Sequence, residues 1–467
     1  MSNWSQRRLH FIGIGGAGMS GLALVCARLG ATVTGSDRSD SSYMERLRVA
    51  GLEPVVGHDP ANLPEGAEVV VSTAIGEDNP ELALARERGV EPIHRGALLA
   101  ELCAEKRLIA IAGTHGKTTT SAMAVWALRA IGADPAFFIG GEIPGLGPRG
   151  APANAGWGEG EWVVAEADES DGSFLRLEPE IAVVTNMEMD HHSHWESFEK
   201  LRDAFAGFVR RSATAVLPSS GDLRPDQRLD IHSAGQILYG SSPSYKSDKA
   251  EWFGPSSPGP ADLDLAVPGA HNVLNARAAL AAIAAAGLDV EAAAGGLSSF
   301  PGVHRRLQLK GSRGAVHIYD DYAHHPTEVR AALSALRELD PSRLIAVFQP
   351  HLYSRTKALA SEFGAALTLA DEIVVLDVYP AREEPVGELA GVSGLQVAQA
   401  AAERGGGKPV WWLPEAATAQ RALADLLDRT QEVVGSKPVL VTIGAGDIFK
   451  LGEALVTEPA APAGAAP

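Results

Sequence analysis

The chain has 467 residues, 40 Lys and Arg against 58 Asp and Glu, and a formal net charge of −18. That length suits about three domains of ~150 residues each, and the acidic balance argues against nucleic acid or an anionic membrane as the main partner. Two cysteines, Cys26 and Cys103, in apolar helical contexts read as buried thiols. With no run of about 18 apolar residues and a polar Met1–His10, a soluble cytoplasmic protein is expected.

From the N-terminus, Leu9-His-Phe-Ile reads as a strand that enters the glycine turn Gly13, Gly15, Gly16, Gly18. A helical pattern then runs to Leu29, with Gly30 as its stop. Ala31 to Asp37 is a second strand ending in an acid, completing a βαβ unit with a dinucleotide-type fingerprint. The glycine spacing places a diphosphate at a helix N-terminus without saying which nucleotide carries it. Asp37 is either a ribose ligand or a plain strand-end acid. Short strands near residues 51–56 and 90–93, a clear strand Ala67–Ser72 and helices at Pro80–Arg88 and Leu98–Ala104 continue the alternation of a parallel sheet. The first domain is expected over 1–104.

Leu108 to Ala112 is an apolar strand followed by Gly113-Thr114-His115-Gly116-Lys117-Thr118-Thr119-Thr120 and a helical segment, Ser121 to Ile131. Strand, glycine turn, Lys-Thr and helix make a phosphate cradle. Backbone N–H groups and the helix N-terminus favour phosphate oxygens, Lys117 would reach the β/γ-phosphates, and the Thr118 hydroxyl would sit on Mg²⁺. The spacer between the glycines is two residues, against four in the usual P-loop. A strand from Glu161 runs into Glu166, Asp168, Glu169 and Asp171. Another from Ile181 runs into Asn186, Glu188, Asp190, His191, His192 and His194. Ligands gather at the carboxyl ends of strands in open α/β sheets, so these clusters and the P-loop share one edge, and a Mg·ATP site is expected there. Taken singly, each acid also fits a solvated loop charge. Residues 218–262 are weakly patterned apart from a short strand, Gln236–Tyr239. His271 and Asn272 open a helix, as caps or as adenine contacts. This central ATPase domain is expected over 105–308.

Strands are expected at Val316–Tyr319, Leu344–Phe348, Glu372–Leu376 and Pro438–Ile443, giving a third domain over 309–457 with a second parallel Rossmann-like sheet. Its strand ends carry Asp320-Asp321-Tyr322-Ala-His324-His325-Pro326, Gln349-Pro-His351-Leu-Tyr353-Ser-Arg355 and Gly444-Ala-Gly446-Asp447, cationic and aromatic residues suited to a small anionic substrate. Glu458–Pro467 reads as a disordered Ala/Pro tail.

Together, Gly113 to Thr119, Glu166 to Asp171, Asn186 to His191, His271-Asn272 and Asp321 to Pro326 resemble the Mur ligases, ATP-dependent amide-forming enzymes of peptidoglycan synthesis. The resemblance covers nearly the whole chain, apart from the tail and 218–262. His10 to Ser20, Ser72 to Ile75, Glu169 to Phe174 and Phe348 to Thr356 are most similar to the branch that joins L-alanine to UDP-N-acetylmuramate. The resemblance implies three α/β domains: UDP-binding, P-loop ATP-binding and amino-acid-binding. It also implies an acyl-phosphate intermediate, ATP and Mg²⁺ as cofactors, and a monomer or weak homodimer. By resemblance, Gly113, Thr114, His115, Gly116, Lys117, Thr118 and Thr119 hold the nucleotide phosphates. His271, Asn272 and Asn275 lie by adenine and Asp321 by the ATP ribose. Thr118, Glu166 and His191 hold metal. Arg306 reaches the phosphates. Gly15, Gly16, Gly18, Asp37, Ser72 and Thr73 hold UDP, while Tyr322, His324 and Arg355 position L-alanine and the sugar-nucleotide end. Lys117, Glu166, His191, Arg306 and His324 form the implied catalytic set. Phe205 stands where several relatives carry a carbamoylated lysine, and Leu352 where some of this branch carry an arginine. The alternatives are the related ligase that attaches recycled tripeptide to UDP-N-acetylmuramate, a non-catalytic nucleotide sensor, and an NAD-dependent oxidoreductase suggested by residues 9–37.

Overall fold

The computed structural model describes residues 3–189, 195–218, 250–253, 260, 262–381, 383–430 and 437–457. His191, the strand expected at Gln236–Tyr239 and the tail Glu458–Pro467 lie outside the described residues. Among the described residues no helix is long and apolar enough to cross a membrane. The chain divides into two compact units, Met1–Ala266 with Val273–Pro301, and Val267–Asn272 with Gly302–Pro467.

The first unit holds two sheets. The N-terminal one comprises β1 (Arg8–Ile12), α1 (Ala17–Arg28), β2 (Thr32–Asp37), α2 (Ser42–Val49), β3 (Val55–Val56), β4 (Glu68–Val71), α3 (Pro80–Glu87), β5 (Ile93–His94) and α4 (Arg95–Cys103). Its order is β3-β2-β1-β4-β5, with every neighbouring pair parallel. The chain reverses direction across the sheet at β1, which puts the turn after β1 at a topological switch point. Cys26 and Cys103 are buried free thiols.

The larger sheet is built from β6 (Arg107–Ala112), α5 (Lys117–Ala130), β7 (Ala136–Ile143), β8 (Ala153–Gly156), β9 (Trp162–Glu166), β10 (Ile181–Val184), α6 (Phe198–Arg210), β11 (Thr214–Pro218) and β12 (Ala250–Phe253). Then follow α7 (Ala270–Ala285) and α8 (Val290–Leu297). The order is β12-β11-β10-β6-β9-β7-β8, parallel except for the β7–β8 pair. β6 is central, flanked by β10 and β9. Its Ile109, Ala110, Ile111 and Ala112 are fully buried, as a strand covered on both faces requires. The P-loop helix begins at Lys117, not at Ser121 as its apolar periodicity suggests. Gly116, at φ 79°, turns the chain sharply enough for the next residue to be helical. Phe205 on α6 is fully buried, 5.3 Å from the ring of Phe174.

The second unit contains β13 (Gln308–Arg313), β14 (Val316–Asp321), α9 (Pro326–Arg337), β15 (Leu344–Phe348), α10 (Tyr353–Leu367), β16 (Glu372–Val375), α11 (Gly394–Arg404), β17 (Val410–Trp412), α12 (Ala416–Asp428), β18 (Val439–Ile443) and α13 (Phe449–Thr457). The order is β13-β14-β18-β15-β16-β17. The sheet is parallel apart from its first edge. β13 pairs antiparallel with β14 through the tight turn at Gly314, a hairpin that the expectation of a wholly parallel unit did not contain. α9 starts at a capping box, with His325 as N-cap, Pro326 in the first turn and the Glu328 carboxylate closing back on the backbone.

Candidate active site

In the first unit, β6, β9 and β10 each end on the same edge of the sheet. The loop after β6 carries Gly113 (φ 135°) and Gly116 (φ 79°), conformations that favour glycine. A Cβ on Gly113 would stand 2.0 Å from Thr185 Oγ1, and one on Gly116 2.5 Å from Asn275 Oδ1. The two spacer residues are tied to the segment after β10. The His115 N–H donates to Asn186 Oδ1 (2.8 Å), and the His115 carbonyl accepts from Asn186 Nδ2 (2.8 Å) and Thr185 Oγ1 (2.6 Å). Thr114 Oγ1 donates to the Glu188 carbonyl and accepts from the Glu188 N–H. The short spacer is therefore a clamped loop. Asn275 of α7 accepts from Thr120 Oγ1 at 3.2 Å, holding the first turns of α5.

Lys117 Nζ donates to the carbonyls of Gly113 (2.7 Å) and Thr114 (3.2 Å) and pairs with Glu169 Oε2 at 2.8 Å. Burial alone would lower its pKa, but the carboxylates of Glu169, Asp168 and Glu166 outweigh that and raise it, so the ammonium stays charged. Glu169 is pushed up to about 7, chiefly by burial and then by Asp168, against the pull of Lys117. Three acids thus surround one ammonium. Glu166 Oε1 accepts from the Thr118 hydroxyl at 3.1 Å, and its Oε2 accepts from the Gly140 N–H at 2.8 Å. A hydroxyl and a carboxylate side by side, with negative charge in excess, are the hard oxygen donors that a small divalent cation takes. Thr118 and Glu166 fit Mg²⁺ on that ground; the third expected ligand, His191, is outside the described residues.

At the end of β1, the Gly15 N–H donates to Asp37 Oδ2 at 2.9 Å and Asp37 Oδ1 accepts from Ser39 N–H. Asp37 therefore braces the glycine turn. Ser72 and Thr73 follow β4, the neighbour of β1. Sequence reasoning missed a buried polar network behind this turn. Glu81, fully buried, accepts from Ser36 Oγ (2.7 Å), Asn62 Nδ2 (3.0 Å) and the Asp59 N–H (3.1 Å), and it pairs with His10 Nε2 (2.9 Å). Burial pushes its carboxyl up, but the hydrogen bonds from His10, Asn62 and Ser36 prevail and hold it at about 2.

In the second unit, His271 lies at the start of α7, its pKa lowered by burial, and Asn272 donates to the Pro268 carbonyl at 2.7 Å. Asp321 ends β14, accepting from the N–H groups of Leu307 (2.8 Å) and Ala323 (2.7 Å); burial pushes it up to about 6. Arg306 stands over the Tyr322 ring at 5.3 Å. Its neighbour Arg305 is bound to Asp320 and to the Gly444 and Gly446 carbonyls, so it braces the sheet end. His324 shares a hydrogen bond with the Tyr322 carbonyl at 3.0 Å, and its ring lies 6.1 Å from that of His351. His351 stacks on Tyr379 at 5.7 Å and contacts the buried Arg355 at 3.4 Å. Tyr322, His324 and Arg355 are thus brought together, with His351 and Tyr379 added. His351 lies in the quoted Gln-Pro-His stretch and was legible there. Tyr379, after β16, had no local signal.

The sequence matches the Mur ligase family, catalytic domain, over residues 8–107, the Mur ligase middle domain over 111–283, and the Mur ligase, glutamate ligase domain, over 305–445. A UDP-N-acetylmuramate–L-alanine ligase of Renibacterium salmoninarum is 42% identical over 470 residues, spanning 98% of this chain and 97% of that protein. The chain belongs to the Mur ligase family. Another protein of the same description, from Mycolicibacterium vanbaalenii, is 44% identical over 480 residues, covering 97% of this chain and 96% of its own. Among solved Mur ligases, the UDP-N-acetylmuramate-alanine ligase of Thermotoga maritima superposes with a TM-score of 0.76 at 29% identity, covering 96% and 98% of the two chains. A murein peptide ligase of Psychrobacter arcticus shares the fold, with a TM-score of 0.66 at 23% identity over 97% and 100% of the chains.

Proposed function

We propose that this Mur ligase joins L-alanine to the muramoyl carboxylate of UDP-N-acetylmuramate at the expense of ATP. The single observation that carries the choice of substrates is the similarity, at 42–44% identity over nearly whole chains, to proteins described as UDP-N-acetylmuramate–L-alanine ligases. The clamped P-loop beside Glu166 is what the chemistry asks for. The functional division we adopt is 1–104 for the sugar nucleotide, 105–308 for ATP and 309–457 for the amino acid.

A carboxylate acylates poorly because its leaving group would be oxide. Transfer of the γ-phosphoryl group to a carboxylate oxygen makes an acyl phosphate and releases ADP. The amine of L-alanine then attacks the carbonyl carbon, loses a proton, and phosphate departs. Both reactants of the first step are anionic, so cations must offset their repulsion. Lys117 supplies one. The loop carbonyls of Gly113 and Thr114 and the Glu169 carboxylate fix its position in the loop. Thr118 and Glu166 would hold Mg²⁺, which supplies Lewis-acid stabilisation of phosphoryl oxygens when bound; His191 is proposed with them. Gly116 to Thr119 offer N–H groups to the phosphates, Gly113 to His115 shape the loop around them, and His271, Asn272, Asn275, Asp321 and Arg306 are assigned to the nucleotide. Gly15, Gly16 and Gly18, braced by Asp37, with Ser72 and Thr73, are assigned to the UDP end. Tyr322, His324 and Arg355 are assigned to L-alanine, where Arg355 suits its carboxylate.

The test is phosphate release with ATP, Mg²⁺ and UDP-N-acetylmuramate, comparing L-alanine, glycine, L-serine and a tripeptide. L-Alanine is expected to give the highest kcat/KM. A tripeptide outpacing it would instead support the recycling reading, and no amino-acid-dependent release would refute both.

A further inference from the structure

Arg95 has a place in the fold that brace and helix logic leave unexplained. It is the first residue of α4, where the helix dipole disfavours a cation. Its Nη2 pairs with both Asp171 Oδ2 (2.7 Å) and Asp168 Oδ2 (3.3 Å). These two acids offset the dipole and anchor one corner of the guanidinium. Nη1 and Nε donate to none of the described residues, and Nη1 lies 3.4 Å from where a Cβ on Gly18 would be. Gly18 is in the first turn of α1, whose N–H groups have no partner within the helix. Arg95, Gly18, Gly21, Asn154, Glu166 and Asp168 line a cavity of about 200 Å³ within the first unit. Arg95 is the cation of that lining, and Glu166 and Asp168 are its acids. An anionic ligand entering between two carboxylates needs that cation.

We propose that Arg95 is a binding residue for the diphosphate of the sugar nucleotide, its Nη1 reaching the phosphates seated at the first turn of α1. Asp168 and Asp171 hold the guanidinium in place through Nη2 alone and leave Nη1 for the ligand. With Nη2 taken by the two acids, Nη1 is the donor that faces Gly18, and its direction is fixed by the planar group in a way a flexible lysine ammonium is not. The proposal rests on the sugar-nucleotide reading above and adds to it a residue and the group that residue takes.

The experiment compares wild type, Arg95→Met and Arg95→Lys by titration calorimetry with UDP, UDP-N-acetylmuramate and ATP, alongside steady-state rates and thermal midpoints. Arg95→Met is expected to weaken UDP and UDP-N-acetylmuramate alike, by about 10- to 100-fold, and to raise the KM for the sugar nucleotide by a similar factor. ATP affinity should stay within about twofold and kcat should change far less than KM. Arg95→Lys should recover part of the loss. Unchanged UDP affinity with a weakened UDP-N-acetylmuramate would assign Arg95 to the sugar or its carboxylate and overturn the proposal. Equal losses for ATP and UDP with a lowered thermal midpoint would make it a staple between elements and overturn it too. Absence of L-alanine-dependent turnover in wild type would refute the ligase reading, an outcome separate from either of these.

Discussion

Lys117 shows how much one residue's role depends on the groups that hold it. Its ammonium is anchored by two loop carbonyls and by Glu169, and flanked by Asp168 and Glu166. Replacing it with alanine removes the cation that offsets phosphoryl charge. It does not leave a buried carboxylate stranded, because Glu169 already sits at about 7 and takes up a proton once the ammonium is gone. Lys117→Ala is therefore expected to fold, to bind UDP-N-acetylmuramate with little change, and to form ADP at least about 10²- to 10³-fold more slowly. Coupled-assay rates and calorimetric binding check this, and full turnover by the variant would remove the P-loop from the mechanism.

At the scale of elements, the loop between β6 and α5 is held by its neighbour β10 more than by its own glycines. Asn186 makes two hydrogen bonds to the His115 backbone. Asn186→Ala orphans that N–H, at a cost of about 1–3 kcal/mol. We expect ATP affinity to fall by about tenfold or more, with faster amide exchange at 113–117; unchanged affinity and exchange would show the clamp to be incidental. This clamp also marks the limit of what sequence discloses. The P-loop, the acids after β9 and Asn186 were legible because each motif is contiguous and follows an apolar strand. Their pairings were not. Lys117 meets Glu169 across 52 positions and Arg95 meets Asp171 across 76, and no local pattern encodes which strand end lies next to which. The helix start at Lys117 was hidden because Lys-Thr-Thr-Thr carries no apolar stripe. β17 and β8 are short edge strands with too few residues for alternation to register. The β13–β14 hairpin was hidden for another reason: Gln308–Arg313 carries a lone large apolar residue, Leu309, and nothing local says that this segment joins the sheet antiparallel.

Among the described residues away from the P-loop, two buried carboxylates, Glu81 in the first unit and Asp321 in the second, are perturbed in opposite directions. Glu81, in the first unit, falls from an ordinary 4.5 to about 2 because His10, Asn62 and Ser36 hydrogen-bond its charged form against the cost of burial. Between those values the unfolded chain binds the proton more tightly, so stability from Glu81 is complete above pH 4.5 and is lost as pH falls toward 2, on the order of 3 kcal/mol. Asp321, in the second unit, rises from 3.8 to about 6 because burial outweighs Arg306 and two N–H donors. Here the native state binds the proton more tightly, so its contribution grows as pH falls from 6 toward 3.8, again on the order of 3 kcal/mol. Other acids titrate in the same range, so the readable quantity is the difference between each variant and wild type. For Glu81→Gln, the wild-type advantage should be flat above pH 4.5 and shrink below it. For Asp321→Asn, the balance should shift toward wild type between pH 6 and 4. Calorimetric unfolding from pH 7 to 3.5 measures both differences. Equal signs, or two flat lines, would mean that these carboxylates do not set the acid response of their units.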